Sequence, residues 1–133
     1  MKLSPIFRSL SIICYLFIFL QGMIIAIPLG CFLISGLFEA EPLTRIFIAF
    51  ADVALLTLFI QTFQKKTKRA LLIELIAYFF LLSPLVKILT SVPLYMFNYT
   101  LFFIPTSCFV LLYPLSLLFS FREYRQALKV ASD

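Results

Sequence analysis

Lys65-Lys66-Thr67-Lys68-Arg69 gathers four of the eleven Lys and Arg residues of this 133-residue chain into five consecutive positions. Apolar sequence leads into this cluster over residues 44–63 and away from it over residues 70–90. Each run is close to the ~20 residues that an α-helix needs to cross a hydrocarbon core. The cluster therefore reads as a polar turn joining two antiparallel membrane spans. Composition agrees: 63% of residues are hydrophobic and 13% are charged, where a soluble domain carries about a quarter charged residues.

Working back from the cluster, Glu39-Ala40-Glu41-Pro42 is the next polar break. Pro42 suits the first turn of a helix, where its missing N–H costs nothing. Before that break, residues 9–38 contain no charge at all. A cleaved signal peptide has an apolar core of only about 7–15 residues, so this run reads as a first span over about 10–36. As one helix, residues 9–38 would reach about 45 Å against a hydrocarbon core of about 30 Å. The span must tilt, kink or end early, with Gly22, Pro28 and Gly30 as the weak points.

Working forward, residues 88–121 are also free of charge. They would make about 51 Å of helix, too long for one crossing. A turn is expected within residues 91–98, where Ser91, Pro93 and Asn98 break the pattern, followed by a fourth span over about 100–120. Beyond it, Phe121, Tyr124 and Leu128 recur at helical spacing, and Arg122, Arg125 and Lys129 repeat that spacing one position on. This predicts a basic amphipathic helix over about 121–130, lying on the membrane surface. The expected fold is all-α: one integral membrane domain, 1–133, built as a four-helix bundle of two hairpins.

Basic residues orient such a bundle, because short cytoplasmic loops carry an excess of Lys and Arg. Lys2 and Arg8 precede the first span. Lys65, Lys66, Lys68 and Arg69 follow the second, and Arg122, Arg125 and Lys129 follow the fourth. With four spans these positions share one side, which makes both termini and the central turn cytoplasmic. The bias favours a bacterial inner membrane. It also accounts for the basic cluster without a nucleic-acid partner.

Four charged residues fall in or at the mouths of the spans: Arg45, Asp52, Glu74 and Lys87. Asp52 lies near mid-bilayer, where an acid costs about 2.5–3.5 kcal/mol on insertion scales. It is expected to face the bundle interior or a wet cavity rather than lipid, sharing a helix face with Arg45 two turns away. Lys87 can lower its ammonium toward Asp52 or raise it to the outer interface. Glu74, one turn inside the cytoplasmic boundary, is within reach of Lys68, Arg69 or Arg122. Pro28-Leu29, Pro84-Leu85 and Pro114-Leu115, each followed by a hydroxyl residue, raise the further idea of a duplicated hairpin.

Chemistry is sparse. The chain has no His, the commonest metal ligand and general base, and its three Cys are widely spaced in apolar runs. No nucleophile–base constellation or phosphate-binding loop is present. The expectation is a non-enzymatic protein without cofactor or metal. It acts through intramembrane helix contacts with a partner membrane protein or toxin, as accessory or immunity subunits do. The alternative is a small proton- or cation-linked carrier or channel using Asp52, which would need a homo-oligomer because four spans enclose little volume.

Overall fold

The computed structural model describes residues 3–21, 26–64 and 67–132. It is overwhelmingly helical: α1 (Leu3–Leu16), α2 (Leu29–Glu39), α3 (Pro42–Thr62), α4 (Lys68–Ser91) and α5 (Thr100–Ser132). A short β-hairpin, β1 (Phe19–Gln21) against β2 (Ala26–Pro28), separates α1 from α2, and a 3-10 turn, Leu94–Phe97, separates α4 from α5. Three helices, α3, α4 and α5, are long and apolar enough to cross a membrane.

The first span departs from expectation. No single helix covers 10–36. Helix α1 stops at Leu16, the chain pairs in register Phe19↔Pro28 and Leu20↔Ile27, and α2 begins at Leu29. The Leu29 amide donates to the Ile18 carbonyl at 2.6 Å, so α2 starts where α1 leaves off. A Cβ on Gly30 would lie 3.3 Å from Leu16 Cδ2, which marks how closely the two ends meet. The extended pairing supplies hydrogen bonds that the interrupted helix cannot, an obligation for backbone in apolar surroundings.

Contacts between helices fix their directions. Arg8 meets Glu74 and Tyr15 meets Leu81, so α1 and α4 run parallel. Ser4 meets Glu123, Phe7 stacks on Phe119 and Tyr15 packs on Phe109, so α5 runs antiparallel to α1. Helix α3 packs chiefly on α4, where Phe50 stacks on Phe80. Helix α2 folds back on α3, with Gly36 against Ile48. Hence α2 runs in the same direction as α1. The two helices, of 14 and 11 residues, together supply about 37 Å of helix.

Helix α5 is the second departure. A separate surface helix over 121–130 is not formed; α5 continues unbroken for 33 residues, through Pro105 and Pro114 to Ser132. No Gly or Pro follows Pro114 to interrupt it. The Glu123 carboxylate accepts from the Ser4 amide and hydroxyl, at 3.2 and 2.8 Å, and so ties this stretch of α5 to α1. The duplicated-hairpin idea also lapses: Pro28 closes a strand, whereas Pro84 and Pro114 lie inside helices.

The distribution of side chains is inverted relative to a water-soluble helix. The buried face of α1 is Ser4, Arg8, Ser11 and Tyr15, whereas Leu3, Ile6, Leu10 and Ile13 are exposed. In lipid, apolar burial gives helices little reason to associate, and association rests on close packing of small residues and on interhelical hydrogen bonds. Both appear here. Small residues Ala51 and Ala54 of α3 and Ala70 and Ala77 of α4 are buried. The rings of Tyr15, Tyr78, Phe109 and Tyr113 join α1, α4 and α5, with Tyr15–Phe109 and Tyr78–Tyr113 centroids each 4.8 Å apart.

Candidate functional site

The expected intramembrane charges do not form one constellation. Glu74 is buried and its partner is Arg8, whose guanidinium Nη1 donates to the Glu74 carboxylate. The expectation of Lys68, Arg69 or Arg122 as partner is corrected by α1, which lies beside α4 and brings Arg8 to the level of Glu74. Arg8 is therefore committed to this pair inside the bundle. The pair is braced from α5: the Tyr113 hydroxyl donates to the Glu74 backbone carbonyl at 2.9 Å.

One level further along, the Tyr15 hydroxyl donates to the Leu81 carbonyl at 2.8 Å. A local defect lies beside this bond. Pro84 lacks the N–H that would normally reach the Phe80 carbonyl, and the Ser83 hydroxyl donates to that carbonyl instead, at 2.7 Å. Tyr15 takes the next carbonyl along. Helix α4 accordingly stays continuous through Pro84.

Arg45 is used locally. Its Nη2 donates to the Ala40 and Phe38 carbonyls, at 3.1 and 3.3 Å, and caps the C-terminal end of α2. A cation there meets the negative end of the helix and its unpaired carbonyls. Arg45 thus turns toward α2 rather than along α3 toward Asp52.

Asp52 is half-buried on α3, on the flank of the stripe formed by Ile48, Ala51, Ala54 and Leu58. Its Oδ2 is buried and has no hydrogen-bond partner among the described residues. Lys87 makes no ion pair with it; that side chain borders furrows lined by Thr44, Ser91 and Phe97 on one side and by Phe47 and Thr90 on the other. Other buried polar atoms without a partner among the described residues are Arg8 Nε, Ser11 Oγ, Gln61 Oε1 and Thr106 Oγ1. Asp52 is the acid among them.

Of the basic positions, Lys65 and Lys66 lie outside the described residues. Thr67, between the two halves of the cluster, caps α4 by accepting from the Ala70 amide at 3.2 Å. Lys68 and Arg69 open α4 beside Phe121 and Tyr124 of α5, and Arg125 sits over the Phe121 ring, 4.8 Å from its centroid. The start of α1, the start of α4 and the last turns of α5 therefore share one end of the molecule. Among the described residues, no group of three His, Cys, Asp or Glu side chains could hold a metal ion.

These features place the chain among integral membrane proteins with an internal polar layer. No protein-family model matches it, and neither curated proteins nor solved structures yielded a match.

Proposed function

We propose that this protein is a four-crossing membrane protein acting non-enzymatically, through contact with another membrane protein inside the bilayer. In this reading α1 and α2, end to end, make the first crossing, and α3, α4 and α5 make the others. The end that carries Lys68, Arg69, Arg122, Arg125 and Lys129 faces the cytoplasm, following the positive-inside bias, and a bacterial inner membrane suits that bias.

The observation that carries the proposal is the Asp52 carboxylate. It lies on a crossing helix with a buried oxygen unpaired among the described residues, and Lys87 does not engage it. A carboxylate in that setting needs a donor. On its outer side stand Val53 and Leu56, 57% and 65% exposed, an apolar helix face that a partner helix can cover. A donor on that helix then meets the Asp52 side chain, which is half-buried, from its exposed flank. The carrier alternative has less support: Glu74 is engaged by Arg8, and the rings of Tyr15, Tyr78, Phe109 and Tyr113 fill the interior beyond it.

Photo-crosslinking tests this directly. A photoreactive residue at Leu56 in intact cells is expected to capture a different membrane protein, and Asp52→Asn should reduce that adduct at unchanged expression. Capture of only a second copy of this chain, together with a proton or cation flux in proteoliposomes that Asp52→Asn abolishes, would overturn the proposal in favour of the carrier.

A further inference from the structure

The end of the molecule that carries the basic residues holds a groove that neither the ion pair nor Asp52 uses. Helix α4 packs on α3 and touches α5 more sparingly, which leaves a furrow between the first turns of α4 and residues 117–124 of α5. The furrow has a volume of about 740 Å³. Its walls are Leu71, Leu72 and Leu75 on one side and Leu117, Leu118 and Phe121 on the other. Lys68 and Arg69 stand at its mouth with Tyr124, and Arg125 follows over the Phe121 ring.

The charge at this mouth is one-sided. Neither Lys68 nor Arg69 has an ion-pair partner among the described residues. The two carboxylates nearest in the fold are committed elsewhere, Glu123 to Ser4 on α1 and Glu74 to Arg8. An apolar slot about two helical turns deep, opening sideways and crowned by three cations and a tyrosine, has the chemistry of a diacyl lipid with an anionic headgroup. Basic pockets between membrane helices recognise such headgroups, and an interfacial tyrosine suits the same depth.

We propose that this groove is a binding site for one anionic phospholipid, its acyl chain lying between α4 and α5 and its phosphate held by Lys68, Arg69 and Arg125. The inference rests on the membrane reading given above. The slot's depth and its cations act together: neutral lipid fills the walls but leaves the mouth uncompensated, and a free phosphate meets the mouth but leaves the walls bare.

The chain contains no Trp, so a single introduced Trp reports its own lipid neighbours. Leu72→Trp places the reporter in the groove wall, and Leu56→Trp places a control on the exposed face of α3, away from it. Each variant is reconstituted with mixtures of brominated phosphatidylglycerol and brominated phosphatidylcholine, and quenching gives the relative affinity of the two lipids. Phosphatidylglycerol should be favoured at Leu72 by about tenfold, and the two lipids should quench equally at Leu56. Basic residues near the membrane surface attract anionic lipid, so Lys68→Gln with Arg69→Gln should remove most of the preference. Leu118→Trp in a separate chain narrows the slot and should reduce retention of phosphatidylglycerol by the purified protein, with the cations intact.

Equal preference at the two reporters, or a preference that survives the double neutralisation, overturns the proposal. Weak quenching at Leu72 by either lipid, beside strong quenching at Leu56, also overturns it, since a protein segment then fills the groove. If neither reporter is quenched, the membrane reading itself fails and the site falls with it.

Discussion

The Arg8 guanidinium donates to the Glu74 carboxylate across the α1–α4 interface, with each side chain only 2% exposed. Two charges withdrawn this far lose their hydration, and their attraction repays that cost only when the geometry is good. The pair therefore specifies which helices meet and at what register more than it adds stability. It fixes Arg8 opposite Glu74, and the same 66-residue offset puts Tyr15 opposite Leu81. The polar stripe of α1 thus meets α4 through Arg8 and Tyr15 and α5 through Ser4.

Removing one partner should be worse than removing both. Arg8→Met leaves Glu74 buried without its cation, and Glu74→Gln leaves the guanidinium without its anion. Each should cost about 3–5 kcal/mol, as for other broken buried pairs. Arg8→Met combined with Glu74→Met should cost clearly less than the sum. Reversible unfolding in mixed micelles measures all three, and additive losses would show that the two residues act independently.

The Ser83 hydroxyl should matter only while Pro84 is present. In the wild-type chain Ser83→Ala strips the Phe80 carbonyl of its donor, at a cost of about 0.5–1.5 kcal/mol for one hydrogen bond. Pro84→Ala restores a backbone N–H that can reach Phe80. In that background Ser83→Ala should cost close to nothing, whereas Tyr15→Phe should keep its penalty because it serves Leu81. Thermal unfolding of the Ser83–Pro84 cycle, with Tyr15→Phe measured in both Pro84 backgrounds, checks the coupling.

Much of this arrangement was legible in the sequence, and the reasons differ from place to place. Helices α3 and α4 were readable because Pro42 and the basic cluster bracket apolar runs of bilayer length. The break between Leu16 and Leu29 was not, because residues 9–38 carry no charge and are mostly apolar, and hydropathy does not distinguish a helix from a hairpin. Gly22 and Pro28 gave the place without the strand pairing. Continuity of α5 past Ser120 was hidden by the basic stripe, since amphipathicity gives no sign of whether a helix bends away. Arg8, eight residues from the start, read as a flank. Yet Ser4, Arg8, Ser11 and Tyr15 recur at helical spacing, and that polar stripe on a helix otherwise apolar was the available signal for an inward face.

The α1–α5 packing can be trapped chemically. Cys14 and Cys108 adjoin Tyr15 and Phe109, whose rings pack across that interface with centroids 4.8 Å apart, and both cysteines are free. In a Cys31→Ser background, which removes the exposed third thiol, copper-phenanthroline should oxidise the pair to an intramolecular disulfide. The oxidant takes two electrons and two protons leave as the S–S bond forms. Thiol counting by maleimide–polyethylene glycol gel shift should fall from two reactive groups to none, without dimer. Persistent labelling of both thiols would show that α1 does not lie against α5 at this level.

Gly36 tests the contact between α2 and α3. A Cβ at this position would overlap Cδ1 of the buried Ile48, so α2 can approach α3 this closely only without a side chain. The obstructing atom is the tip of a flexible side chain, and Gly36→Ala can be absorbed by a rotamer change at a cost of about 1 kcal/mol. Gly36→Leu cannot be absorbed so easily and should cost about 1–3 kcal/mol, loosening the cap that Arg45 makes on the end of α2. Ile48→Ala opens a cavity and is itself destabilising, but it removes the atom that a residue at 36 would strike. Gly36→Ala should therefore be neutral or stabilising once Ile48→Ala is present, because Ala also favours the helix by about 1 kcal/mol over Gly. The two terms nearly cancel in the wild-type chain, so a shift of Gly36→Ala toward stabilisation by about 1 kcal/mol in the Ile48→Ala background, read from unfolding midpoints, is the signature of direct contact; the same effect in both would place Gly36 away from Ile48.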